Sequence, residues 1–148
     1  PPKHLMWIVS VGLNLCCYFQ VTKQVHGAIN EDTLWVDPQQ HIGALLGGWG
    51  FNTSVGATIS KLPATTVNRC PWIRVDKKAT VKLDIASVRE MALRLATKDL
   101  HPDIRRWLMM PSSEDAIETY GRWYEVLASA FGKRSFTKWD VKAEHVYF

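Results

Sequence analysis

The residues able to do chemistry on their own are three cysteines, five histidines and a glycine-rich turn. Cys16 and Cys17 are adjacent within an apolar run, and Cys70 precedes Pro71. No neighbouring cation or helix start depresses a thiol pKa at either place, so all three read as inert core thiols. An odd count argues against a disulfide framework and for a reducing compartment. The histidines stand at 4, 26, 41, 101 and 145, each apart from the others. Neither Cys-x-x-Cys nor His-x-x-x-His spacing occurs, so no metal site and no cofactor are expected. The Gly47-Gly48-Trp49-Gly50 run lacks the Lys-Ser/Thr of a Walker loop and the Gly-x-Gly-x-x-Gly spacing of a dinucleotide turn. A Gly-x-Ser-x-Gly elbow is also absent. Asn52-Thr53-Ser54 matches a glycosylation acceptor, but the cysteine usage argues against secretion and the match reads as coincidence. On these grounds no catalytic residue and no small-molecule substrate are assigned, and the chain is expected not to be an enzyme.

Charge and aromatic display remain. The formal charge is +4, which favours acidic partners only mildly. The cations are grouped: Lys77 and Lys78 beside Arg74 and Lys82; Lys133, Arg134, Lys138 and Lys142 near the C-terminus; and Arg105-Arg106. Asp140 and Glu144 share a face with Lys138 and Lys142, so that group also reads as a mixed, solvated surface. Arg74, Lys77, Lys78, Lys133, Arg134 and Lys138 are the candidate anion contacts, for lipid or RNA. Three glycines flank Trp49 and Phe51, and flexible display of two large aromatics fits docking to a membrane or a partner copy as well as folding back over a sheet edge.

The elements that position these groups follow from periodicity. With 148 residues, 47% hydrophobic and 22% charged, the chain fits one folded domain rather than a disordered segment. Residues 5–21 alternate with period 2: Trp7, Val9, Val11, Leu13, Leu15, Cys17, Phe19 and Val21 oppose a set containing Ser10, Gly12, Asn14 and Gln20. That predicts a strand, or a hairpin turning near 12–14. The polar interruptions and the lack of a small-residue cleavage site speak against a signal peptide, and the run reads as too short and polar to span a bilayer. A short helix is expected over 38–46, a loop at 47–51, a weak strand over 55–62 and a connector at 63–71. Residues 72–85 read as a hairpin with Ile73, Val75, Val81, Leu83 and Ile85 inward and a polar turn at 76–79.

Ser87 and Glu90 form a Ser-x-x-Glu capping box for a helix with Val88, Met91, Ala92 and Leu95 on one face. Pro102 starts a second helix carrying Ile104, Trp107 and Leu108, and Pro111 stops it. A third helix runs from about 113 to 131, capped by Ser112 or Ser113, with Ile117, Tyr120, Tyr124, Leu127 and Phe131 inward and Glu118 and Arg122 wet. Residues 136–148 alternate as a strand. The fold class is therefore α+β: one domain, 1–148, whose antiparallel or mixed sheet combines N-terminal strands, the central hairpin and the C-terminal strand with two to three helices.

The capped helix, basic turn and short final strand resemble in layout the end of small viral matrix proteins, over about a quarter of the chain and without a shared motif. The basic side chains and the Gly/Trp loop lead to a non-catalytic structural protein that self-associates as a homo-oligomer and contacts an anionic membrane, with a viral-matrix-like layout, and the cysteine usage places it in the cytoplasm, peripheral at that membrane. RNA binding is the alternative, and a small enzyme without a recognisable motif the second alternative.

Overall fold

The first element is a helix, α1 (Pro2–Thr22), and not the expected strands. The structure is a computed structural model and describes residues 2–132 together with Lys142 and Glu144. Leu5, Met6, Val9, Gly12, Leu13, Cys16 and Phe19 form the buried stripe of α1, at the 3–4 spacing of a helix. The run is apolar at both parities, so a period of 2 fits it as well as 3.6 does. Of the residues that looked like a polar strand face, Ser10, Gly12 and Gln20 are contacts, and Asn14 is exposed. Gly12 lets α4 (Val81–Leu95) approach, since a Cβ there would lie 2.9 Å from Val88 Cγ2. Ser10 Oγ accepts the Trp123 indole N–H at 2.8 Å, and Gln20 Oε1 accepts the Ala116 amide. By length and composition α1 would also suffice to cross a membrane; in this structure it packs against α4 and α6 (Ala116–Phe131).

The chain is mixed helix and strand, an α+β fold with six helices among the described residues and two small antiparallel sheets. β1 (Gln24–Val25) pairs with β4 (Thr53–Ser54). β2 (Leu34–Asp37) pairs with β3 (Ile42–Leu45) in the register Leu34 to Leu45 and Asp37 to Ile42. The expected helix over 38–46 is thus a turn and a strand. Asp37 Oδ1 accepts the amides of Gln39 and Gln40, an Asx turn that the following His41 closes at φ 54°. Between β3 and β4 lies a 3-10 turn, Trp49–Phe51. The expected strand over 55–62 is not formed: β4 lies just before it, and within it there is one bridge, Thr58 with Lys78; the 63–71 connector contains α2 (Ala64–Arg69).

The expected hairpin over 72–85 is α3 (Ile73–Asp76) followed by the first turns of α4. Ile73, Val81, Leu83 and Ile85 are buried as expected, whereas Val75 is 89% exposed. The alternation at 81, 83 and 85 arises because α4 is covered on two sides. Val81, Ile85, Val88 and Met91 face the main core with α1, while Leu83 joins a second cluster with Val25, Cys70, Ile73 and Ala79. Thr80, not Ser87, is the N-cap of α4, and Ser87 donates to the Leu83 carbonyl from within the helix. Leu95, expected inward, is exposed.

α5 (Pro102–Met109) begins and ends as expected, burying Ile104, Trp107 and Leu108. In α6 the cap is Asp115, whose carboxylate accepts the Glu118 amide, and the buried residues are Ala116, Thr119 and Trp123. Tyr120, Tyr124 and Leu127 are half-buried, and Ile117 and Phe131, expected inward, are exposed. The Arg122–Glu118 pair is on the wet face at 2.7 Å. The expected strand over 136–148 lies outside the described residues apart from Lys142 and Glu144.

Candidate anion-binding surface

The second cluster organises one end of the molecule. Main-chain bonds draw three distant segments over it: Val55 N–H to Lys23 O (3.0 Å), Gly56 N–H to Ala79 O (2.8 Å) and Ile59 N–H to Lys77 O (2.7 Å). These segments, 20–25, 51–62 and 70–83, carry Lys23, Lys61, Arg74, Lys77, Lys78 and Lys82, with Asp76 as their one exposed carboxylate. Among the described residues none of the six cations forms an ion pair. Lys82 lies over the Trp72 ring at 4.6 Å and Lys61 over Phe51 at 6.0 Å. Two of the three non-glycine residues with positive φ among the described residues, Lys23 (56°) and Lys77 (50°), sit here, each closing a helix end. Val21, Val55 and Val75 stand exposed at this end of the chain.

The structure thus brings Arg74, Lys77 and Lys78 together with three cations that the sequence leaves scattered. Lys133, Arg134 and Lys138 lie outside the described residues. Arg105 and Arg106 belong to α5, which packs on α4 and α6, and Arg106 pairs with Asp103 at 3.0 Å. Lys82 stands next to the 74–78 group in sequence; Lys23 and Lys61 carry no sequence signal, because only the β1–β4 pairing recruits them.

Trp49 and Phe51 divide. Trp49 is 47% exposed, with one edge against His26 (4.6 Å) and Phe19 (5.9 Å) and its indole N–H donated to the Leu45 carbonyl. Phe51 is half-buried. The turn that holds them is wedged in place. Gly48 adopts φ 74°, and a Cβ there would meet Ala28 Cβ at 2.7 Å and His26 Cε1 at 3.1 Å. Gly48→Ala is therefore expected to lower stability by about 1–3 kcal/mol in denaturant titration. Gly50→Ala, with nothing within 4 Å, is expected to be near neutral. Equal losses would contradict the wedge.

Behind the turn is a buried polar set. Asp84, fully buried on α4, accepts the amides of His26 (2.8 Å) and Gly27 (2.9 Å). Burial pushes its carboxyl up to about 6, with the two amides opposing. The His26 ring is 3.0 Å from Gly47 O through Nε2, and its Nδ1 accepts the Ala28 amide, and burial lowers its pKa. These contacts tie loop to helix, and burial raises all three thiols, Cys70 to about 11. Arg89 is buried over Trp107 at 4.1 Å and donates to the carbonyls of Met110 and Pro111, and burial lowers it to about 10. Among the described residues no group of three or more His, Cys, Asp or Glu is placed to hold a metal.

No family model matches this chain. No curated protein matches its sequence either.

Proposed function

We propose that this chain is a non-catalytic structural protein that docks, through the end organised by the second cluster, on anionic membrane surfaces. The observation that carries the reading is the main-chain gathering of Lys23, Lys61, Arg74, Lys77, Lys78 and Lys82 around exposed valines, against one exposed carboxylate. Each Lys or Arg near an anionic leaflet contributes about 1 kcal/mol. Six such contacts amount to weak, reversible binding, so a second, apolar contribution is required for a stable anchor. Val55, Val75 and the half-exposed Trp49 supply it.

Lipid is favoured over single-stranded RNA by the same geometry. Single-stranded RNA is held by bases stacked on open aromatic faces. Here Trp72 and Phe51 each have a lysine over the ring. Self-association, the other part of the reading, is supported by the outer face of the β2–β3 hairpin, where Trp35 and Ile42 are exposed.

Flotation tests the proposal. The protein is expected to float with phosphatidylcholine vesicles containing about one-third phosphatidylserine, not with phosphatidylcholine alone, and to detach as salt rises from about 0.05 M to about 0.5 M. Equal binding to both vesicles, or binding to duplex RNA that is tighter than to the anionic vesicles at equal salt, would overturn it.

A further inference from the structure

We infer that protonation of His26 unseats the 47–51 turn and so frees the Trp49 indole for the interfacial layer of a membrane, an inference that rests on the membrane reading above. Both ring nitrogens of His26 are committed. Nδ1 accepts the Ala28 amide at 3.2 Å, so in the neutral ring Nε2 carries the proton and donates it to Gly47 O at 3.0 Å. An imidazolium has two donors and no acceptor. It keeps the Gly47 bond and strengthens it, but its new Nδ1–H points at the Ala28 N–H. Two donors cannot share that place, so the ring must leave Ala28 while remaining tied to Gly47.

The packing converts that displacement into movement of the turn. The ring lies stacked against Phe19 (5.9 Å, 24°) and takes the Trp49 ring edge-on (4.6 Å, 82°). Gly48 fits directly over Ala28 and His26. The bonds of the turn itself, Phe51 N–H to Gly48 O and Asn52 N–H to Trp49 O, are local and travel with it. The bond to Gly47 makes ring and turn move as one unit, with Trp49 already half in solvent.

The titratable groups around His26 do not offset the change. From α4 comes Asp84, whose carboxylate holds the His26 and Gly27 amides. Its carboxyl, raised to about 6, takes up a proton over the same interval and no longer compensates an imidazolium. α1 contributes the Cys16 thiol, kept neutral by burial and by Asp84. The 47–51 turn and Ala28 contribute no titratable side chain.

The test combines amide exchange over residues 46–52, corrected for the intrinsic rate, with flotation on the phosphatidylserine vesicles, between about pH 7.5 and about pH 5.5. On acidification the wild type is expected to lose protection over 46–52 by about tenfold and to gain about tenfold in vesicle partition. Asp84→Asn is expected to respond in the same way. His26→Gln offers Gly47 a donor but takes no proton, and both of its profiles are expected to stay flat. Trp49→Ala is expected to keep the exchange response and lose the gain in partition. An equal response in wild type and His26→Gln, a response abolished by Asp84→Asn, or flat exchange in the wild type would each overturn the switch. If the wild type binds vesicles at no pH, the membrane reading fails, and the exchange arm still decides the switch. Should His26→Gln not fold, the His26 ring and Trp49 indole resonances of the wild type are followed instead: a common midpoint supports the switch and separate midpoints overturn it.

Discussion

Trp123→Ala is expected to lower the unfolding free energy by about 3–5 kcal/mol, the range for emptying an aromatic site in a core. Trp123 is completely buried and lies 4.9 Å from the Trp107 ring, so it joins α6 to α5. Its indole N–H reaches Ser10 Oγ on α1, and Ser10 in turn donates to the Met6 carbonyl. Truncation therefore removes the packing of three helices and one side-chain bond together. Thermal unfolding followed by circular dichroism should show a drop of about 10 °C or more. Tyr124→Ala, at a half-buried position with its hydroxyl 3.1 Å from that of Tyr120, should cost much less. A larger loss for Tyr124 would mean that α6 is rotated from the orientation described.

Asp84→Leu is expected to cost about 2–6 kcal/mol, because it strands the buried amides of His26 and Gly27 at about 1–3 kcal/mol each. Asp84→Asn keeps one oxygen acceptor but sets its NH2 against the second amide, so it should cost about half as much, roughly 1–3 kcal/mol. The pH dependence has a definite sign. The carboxyl is raised in the folded state from an ordinary value of 3.8 to about 6, so the native chain holds the proton more tightly than the unfolded one. Its contribution is fully present below about pH 3.8 and is lost as the pH rises through about 6, an effect of about 3 kcal/mol. Asp84→Asn should remove that decline. His26 slopes the other way: its folded pKa is depressed by burial, so its contribution is present above about pH 6.5 and is lost as the pH falls through the folded value. Denaturant titrations of wild type, Asp84→Asn and His26→Gln across this range separate the two slopes.

How far the sequence foretold this arrangement depends on how many faces each element buries. α5 carries one apolar stripe between two prolines and was legible from end to end. α1 and the start of α4 are apolar on more than one side, so alternation at 5–21 and 81–85 mimicked strands. The α+β class holds all the same, because the strands among the described residues are 24–25, 34–37, 42–45 and 53–54, short segments with little pattern of their own. α6 is legible as a helix, but its evident aliphatic and tyrosine row masks the buried Trp123, whose partner Ser10 is remote in sequence. In the candidate surface, Arg74, Lys77 and Lys78 were legible as near neighbours. Lys23 and Lys61 were not, since backbone bonds between segments bring them there. Asp84, set between Leu83 and Ile85, carried one readable sign, a lone carboxylate inside an apolar run; its amide partners, 57 and 58 residues away, did not.

The central claim is that one end of the molecule holds the membrane, and vesicle flotation of two charge variants tests it most directly. In the first, Lys23, Lys61, Arg74, Lys77, Lys78 and Lys82 are all changed to Gln; in the second, Arg105, Arg106 and Arg122 are. The six positions are exposed or half-exposed and free of ion pairs among the described residues, so the first variant should unfold at nearly the wild-type temperature. It is expected to lose partition onto phosphatidylserine vesicles by at least about a hundredfold, while the second variant stays within about threefold of wild type. A folded first variant that floats like the wild type, or a second variant that loses as much as the first, would contradict the account.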